Sequence, residues 1–212
     1  MTLLDFHTHR LQATDALICV EPDRFAPELG KCYAVGLHPW HSAAEDVERL
    51  LAQLERVAAH PQVAAIGETG LDALRGAPLD VQMALLERHV AVAEAVGKPL
   101  VIHTVRTSQQ VLKVWRESRR SVPWAIHGFR GNAHVVEPLV DAGFYISFGE
   151  RFNPLALRAV PAERLLAETD DSPMPIASVV ARMAAQLQLP PERLERTLAA
   201  NLARLLNLGG AK

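Results

Sequence analysis

Short apolar runs that stop at an imidazole or a carboxylate constrain this chain more than any other feature. Ala64-Ala65-Ile66-Gly67 stops at Glu68 and is followed by Thr69-Gly70-Leu71-Asp72. His7 and His9 end the run Leu3-Leu4-Asp5-Phe6, His103 ends Pro99-Leu100-Val101-Ile102, and His127 ends Pro123-Trp124-Ala125-Ile126. Asp170 ends Leu165-Leu166-Ala167-Glu168-Thr169. A short apolar run bounded in this way reads as a buried strand. A charge at its end is costly unless a cation meets it. Glu68 reads as the hub, because a carboxylate has two oxygens and can bridge two metal ions.

Strand-like runs recur at about 3–6, 16–20, 33–36, 63–67, 99–102, 123–126, 144–147 and 164–168. Helical patterns fill most of the gaps. Residues 43–58 place Val47, Leu50, Leu51, Leu54 and Val57 at helical spacing, with Ser42 as the expected N-cap. Residues 78–96 repeat the pattern, opened by Pro78 and closed by Gly97. Shorter helices are expected over 107–118, 133–142 and 153–159, and two more over 175–188 and 191–207. Alternating strand and helix predicts a parallel sheet, and eight units predict a TIM-like (β/α)₈ barrel, an α/β fold. Active residues of that fold sit at the C-terminal ends of strands. Residues 10–15 are too few for a parallel crossover. The helix after the first strand is therefore expected to be missing. The second strand is expected to be short, displaced or irregular, in a thinly covered sector of the wall.

The chain has 212 residues, and one domain over 1–212 is expected. Hydrophobic residues make up 49%, enough for a sizeable core, while a net charge of −2 lacks the basic field of a chromatin-type binder. Any polyanion must then be held by a local patch or by metal. With Cys19 and Cys32 alone, a disulfide framework is not expected and a reducing compartment fits. No basic segment leads an apolar stretch at the N-terminus, and no apolar run reaches the length of a membrane span. A cytoplasmic monomer without membrane contact is expected.

His7-Thr8-His9 is an H-x-H pair whose imidazoles share one side of a strand. Each of these residues alone has an ordinary reading: a paired acid for Glu68, a backbone-bonded interior histidine for His103 or His127, a helix cap for Asp170. Together they are nitrogen and oxygen donors at five strand ends, without cysteine. That set suits Zn²⁺, Mn²⁺ or Mg²⁺ in a hydrolytic site.

The ordered motifs H-x-H, G-E-T-G-L-D, V-I-H, I-H-G-F and E-T-D resemble those of the TatD-type metal-dependent deoxyribonucleases of the amidohydrolase superfamily. Val35-Gly36-Leu37-His38-Pro39, Gly143-Phe144-Tyr145-Ile146-Ser147-Phe148-Gly149 and Ala200-Asn201-Leu202-Ala203-Arg204 extend the likeness over about 3–207. The resemblance implies one metal held by His7, His9, Glu68 and Asp170. It implies a second held by Glu68, His103 and His127. The chain departs from the family by its shorter length, by His103-Thr104-Val105-Arg106, by His127-Gly128-Phe129-Arg130-Gly131, by Glu168-Thr169-Asp170-Asp171-Ser172-Pro173, and by Trp40 where a second histidine is usual. These mark a short subgroup and alter the surroundings rather than the ligands.

Two divalent metals lower the pKa of a bound water and polarise a phosphoryl oxygen. The expected activity is phosphodiester hydrolysis, of the 3′–5′ exonuclease type by the resemblance, with DNA or another phosphodiester as substrate. Asp170, or else Glu68, is the candidate base. His38 is the candidate to orient a phosphate or to donate to the leaving oxygen. Arg106, Arg130 and Arg151 follow strands five, six and seven and are candidate phosphate contacts, with a solvated loop arginine as the ordinary reading of each. Trp40 is a candidate base-stacking residue, and Phe129 is expected to pack beneath His127. Asp171 is either a support for a metal-bound histidine or a helix cap. The alternative activity keeps the metals and hydrolyses a small molecule, or a D-aminoacyl-tRNA as relatives of this type do.

Overall fold

The structure, a computed structural model, describes residues 3–208. Its strands are β1 (Asp5–Thr8), β2 (Ala16–Val20), β3 (Cys32–Val35), β4 (Val63–Asp72), β5 (Leu100–Val105), β6 (Trp124–Ile126), β7 (Tyr145–Phe148) and β8 (Leu165–Ala167). They follow one another in chain order as a closed barrel, β8 returning to β1 in parallel through Asp5↔Ala167. The helices are α1 (Val47–Val57), α2 (Leu79–Val96), α3 (Ser108–Glu117), α4 (Ala133–Asp141), α5 (Pro154–Ala159), α6 (Ile176–Leu187) and α7 (Pro191–Leu205). Among the described residues this is the α/β barrel expected from the alternation. No described helix is long and apolar enough to cross a membrane.

The chain divides into two compact units, the first running to Ile18 and resuming at Ile126, the second spanning Cys19–Ala125. In the second unit, α1 buries Leu50, Leu51 and Leu54 and leaves its charged face to water. Pro78 stands at the N-cap of α2, and Gly97 closes it in a left-handed conformation with φ +67°. The strands of this unit bury Ile66, Leu71, Val101 and Ile102. In the first unit, Phe6, Leu17, Phe144 and Phe148 are buried on or beside the strands, and Val179, Met183, Leu194, Leu198 and Leu202 on α6 and α7. Burying each such side chain contributes about 1.5–3 kcal/mol.

Several local expectations are corrected. Ser42 does not cap α1: its hydroxyl donates to the Pro39 carbonyl at 2.5 Å and closes the 3₁₀ turn Pro39–His41. The run after strand one holds turns and no helix, as expected, but β2 is five residues long and buried through Cys19. That sector is therefore not thinly covered. The irregularity lies instead in a register shift of the β1–β2 pairing between Asp5 and Thr8.

A larger correction concerns β4. The run does not end at Glu68; β4 is ten residues long, reaches Asp72 and carries Glu68 inside it. Its pairing with β5 shifts register between Ile66 and Thr69, then resumes with Gly70 opposite His103. Gly67 and Gly70 make this passage possible. Both have positive φ, and a Cβ on either would stand 2.4 Å and 2.0 Å from the carbonyl oxygens of Val101 and His103.

Candidate metal centre

In the first unit, three donors gather at the ends of β1 and β8. Nε2 of His7 and Nε2 of His9 lie 3.3 Å apart. Oδ1 of Asp170 lies 3.7 Å from each. Two ligands bound at about 2.0–2.1 Å to one tetrahedral ion stand about 3.4 Å apart. The triangle therefore has the edge lengths of a ligand set around one cation. His7 is buried, whereas the His9 side chain is 42% exposed, so a cation held here has water on one side.

The backbone locks this triangle. Asp170 adopts a left-handed conformation, φ +52°, which Asp tolerates better than most residues. Its N–H donates to the His7 carbonyl at 2.8 Å, and its carbonyl accepts the Thr8 hydroxyl at 3.3 Å. Asp170 is thus tied to β1, and it is not a helix cap: α6 begins only at Ile176, after Pro175. Asp5 braces the same junction, accepting the Thr169 N–H at 2.9 Å and its hydroxyl at 2.6 Å. Arg10 reaches the Thr169 hydroxyl at 2.6 Å. Burial raises the Asp5 carboxyl to about 6, against the pull of these Thr169 bonds.

His127 stacks on His7, ring centroids 4.2 Å apart and 18° from parallel. Its Nδ1 lies 3.4 Å from Oε1 of Glu168, a carboxylate with no solvent exposure. Burial acts to raise the Glu168 carboxyl, but the imidazoles of His127 and then His7 more than offset it and hold it below its usual range. In the sequence Glu168 reads only as part of a strand. Its one signal there is an acid inside an apolar run, two residues before Asp170.

In the second unit, Glu68 Oε1 lies 3.0 Å from Nδ1 of His103 and 3.1 Å from Nε2 of His38. Glu68 is 6% exposed, so its charge is met by imidazoles rather than water. On the far side of His103, Nε2 faces Asp72 Oδ2 at 3.5 Å. The Trp40 indole N–H donates to that same oxygen at 2.6 Å. Burial acts to raise the Asp72 carboxyl, and the Trp40 bond leads the contacts that bring it below its usual value. His38 Nδ1 accepts the Trp40 backbone N–H at 3.2 Å, which leaves its proton on Nε2, facing Glu68. Asp72, like Glu168, does not stand out in the sequence, although it closes G-E-T-G-L-D.

The remaining candidates are dispersed. Arg106 and Arg130 are exposed, and Arg151 pairs with Glu150 at 3.2 Å. Among the described residues none of the three is bonded to a donor of either cluster. Asp171 is exposed, and its carboxylate joins the His9 imidazole and the Asp170 carboxylate in one potential ligand group. Phe129 is buried and packs edge-on against Phe148 at 6.0 Å.

The donors fit divalent metal. Imidazole nitrogens and carboxylate oxygens converge in each unit, and one carboxylate backs a histidine in each, Glu168 for His127 and Asp72 for His103. Such pairs orient a metal-binding histidine and raise its basicity.

Comparison with known proteins agrees with this chemistry. The family model described as TatD related DNase matches residues 23–207. An uncharacterized metal-dependent hydrolase, TatD, of Mycobacterium tuberculosis is 36% identical over 151 residues, 65% of this chain and 56% of that protein. A 3′-5′ ssDNA/RNA exonuclease TatD of Edwardsiella piscicida is 33% identical over 150 residues, 66% of this chain and 57% of that protein. These alignments span little more than half the length of the relatives. The crystal structure of YJJV, a TatD homolog from Escherichia coli, superposes with a TM-score of 0.84 at 22% identity, covering 97% of this chain and 98% of that one. That likeness concerns the fold.

Proposed function

Because this chain belongs to the TatD family of metal-dependent hydrolases, we propose that it hydrolyses phosphodiesters, with single-stranded DNA as the first substrate class and exonucleolytic 3′–5′ action. The proposal treats residues 1–212 as one catalytic domain. The observation that carries it is the His7–His9–Asp170 triangle, whose edges of 3.3, 3.7 and 3.7 Å match ligands of a single cation.

Two divalent ions are proposed. His7, His9 and Asp170 hold the first, His103 and His127 the second, and Glu68 serves both. The support is membership of a metal-dependent hydrolase family together with imidazole and carboxylate donors that converge in each unit. Bound metal supplies an acidified water and a polarised phosphoryl oxygen. Zn²⁺, Mn²⁺ and Mg²⁺ all suit these donors.

The protein's own residues then have separate tasks. Asp170 accepts the proton of the attacking water, since its backbone is pinned at both N–H and C=O. Glu68 is the fallback base. His38 donates from Nε2 to the leaving oxygen; its Nδ1 is already taken by a backbone N–H, which suits a proton donor better than a metal ligand. Glu168 and Asp72 hold His127 and His103 in place. Trp40 lies beside His38 and His103, and Arg106, Arg130 and Arg151 are candidate phosphate contacts at or after the ends of β5, β6 and β7.

The test is metal restoration. Chelator-stripped protein is given Mn²⁺, Mg²⁺ or Zn²⁺ and assayed on 3′-labelled single-stranded DNA, on a simple aryl phosphodiester, and on a panel of esters, amides and D-aminoacyl-tRNA. Metal-dependent cleavage of DNA supports the reading. Turnover confined to esters, amides or the aminoacyl bond would transfer the same centre to the alternative substrates.

A further inference from the structure

Trp40 is a large aromatic side chain that stays 45% exposed at the edge of the donor cluster. It is not loose. Its indole N–H is held at 2.6 Å by Asp72, itself 3% exposed. Its ring centroid lies 4.6 Å from that of His38 and 6.1 Å from that of His103. An aromatic plane fixed in orientation, beside the proposed proton donor and open to solvent, is a stacking platform.

Arg75 covers that platform. Its guanidinium carbon stands 4.4 Å from the Trp40 ring centroid. Among the described residues no carboxylate pairs with it. Its backbone is fixed, because Gln82 Nε2 donates to the carbonyls of Asp72, Arg75 and Ala77 at 3.0, 2.9 and 2.7 Å. Next to it, a Cβ on Gly76 would stand 2.4 Å from the Pro39 carbonyl, so the loop is pressed against the turn that carries Trp40. A cation resting on an aromatic ring, without a carboxylate, is readily exchanged for an aromatic ligand that brings its own anion.

The geometry points to Trp40 and Arg75 as a nucleotide subsite: a nucleobase stacks on the indole, and the guanidinium it displaces takes the adjoining phosphate. The subsite rests on the phosphodiesterase reading and narrows it to substrates that carry a base next to the scissile bond. Asp72 couples the two, because the carboxylate that fixes the platform also faces His103.

Two measurements test it. The first compares manganese-loaded protein on a single-stranded oligonucleotide and on the same oligonucleotide with abasic sites, as a ratio of kcat/KM. Trp40→Leu should lower that ratio about tenfold, the size expected from losing one base stack. Trp40→Phe keeps an aromatic plane and should keep most of the ratio. Equal losses on both substrates in Trp40→Leu, or a ratio near one in the parent protein, overturn the subsite.

The second measurement is titration calorimetry with thymidine 5′-monophosphate and deoxyribose 5-phosphate. The nucleotide should bind several-fold more tightly, and Arg75→Ala should weaken it. Unchanged or tighter nucleotide binding in Arg75→Ala means that the arginine merely blocks the ring, and overturns its role. If the parent protein cleaves no phosphodiester, the functional reading fails by itself. The subsite then stands or falls on whether the base strengthens binding through Trp40.

Discussion

Glu168 Oε1 lies 3.4 Å from Nδ1 of His127, and neither residue is more than 8% exposed. In the proposed centre this carboxylate orients the ring through Nδ1, and Nε2 would be the metal-facing nitrogen. Glu168→Gln keeps an acceptor and removes the charge. It should weaken metal binding about 10–100-fold, read by competition with a chelator. Metal affinity equal to that of the parent protein would reduce Glu168 to a packing residue.

Asp170→Asn separates geometry from chemistry. Asparagine tolerates the left-handed backbone as Asp does, and the backbone bonds to His7 and Thr8 do not involve the carboxylate. The melting temperature should therefore change little. On a metal-saturated sample kcat should fall by about two to four orders of magnitude, the range for losing a general base. A fall limited to a few-fold would move the base elsewhere, to Glu68 first.

His89 makes stability depend on acid. It is fully buried on α2, its Nδ1–H donating to the Leu85 carbonyl at 2.8 Å and its Nε2 accepting the Leu37 N–H at 3.0 Å. The Leu37 bond requires the neutral ring, because a protonated Nε2 has no lone pair to accept with, whereas the Leu85 bond is kept in either state. Burial lowers its pKa from 6.5 to about 4. A depressed histidine contributes stability in full above the unfolded value and loses it as pH falls towards the folded one. At about 1.4 kcal/mol per pH unit, that amounts to roughly 2 kcal/mol between about pH 6.5 and 5. Asp5 acts the other way, because its raised carboxyl, about 6, costs stability as pH rises from 3.8. His89→Gln removes one of the two opposing slopes. In urea unfolding it should gain roughly 2 kcal/mol on the parent protein between about pH 6.5 and 5. Parallel pH profiles would contradict the assignment.

Much of this is legible in the sequence, for physical reasons that differ by element. The helices stand out because apolar residues at helical spacing, as in Leu50, Leu51 and Leu54, have no other common reading. Pro78 and Gly97 mark the ends of α2 because each has few backbone options. The run to Asp72 looks shorter than it is because glycine ordinarily ends a strand. Here Gly67 and Gly70 continue it through a shifted register. The imidazoles and acids that close apolar runs in the sequence are visible as costly charges. Glu168 and Asp72 are not, since a carboxylate that supports a histidine carries no spacing of its own. Arg75 is hidden altogether, because its contact with Trp40 joins two loops distant in the chain.

Gly67→Ala tests the continuation of β4. The added methyl would stand 2.4 Å from the Val101 carbonyl at a φ of +135°, where neither backbone can yield cheaply. A loss of about 3 kcal/mol or more is expected, seen as a lower urea midpoint together with loss of metal binding. A variant as stable as the parent protein would place the glycine in open space.

Counting metal is the most direct test of a shared centre built round Glu68. Elemental analysis of protein equilibrated with Mn²⁺ or Zn²⁺ and then desalted should find two ions per chain, and Glu68→Ala, still folded by circular dichroism, should lose both. Two ions retained in Glu68→Ala, or none in the parent protein, would contradict it.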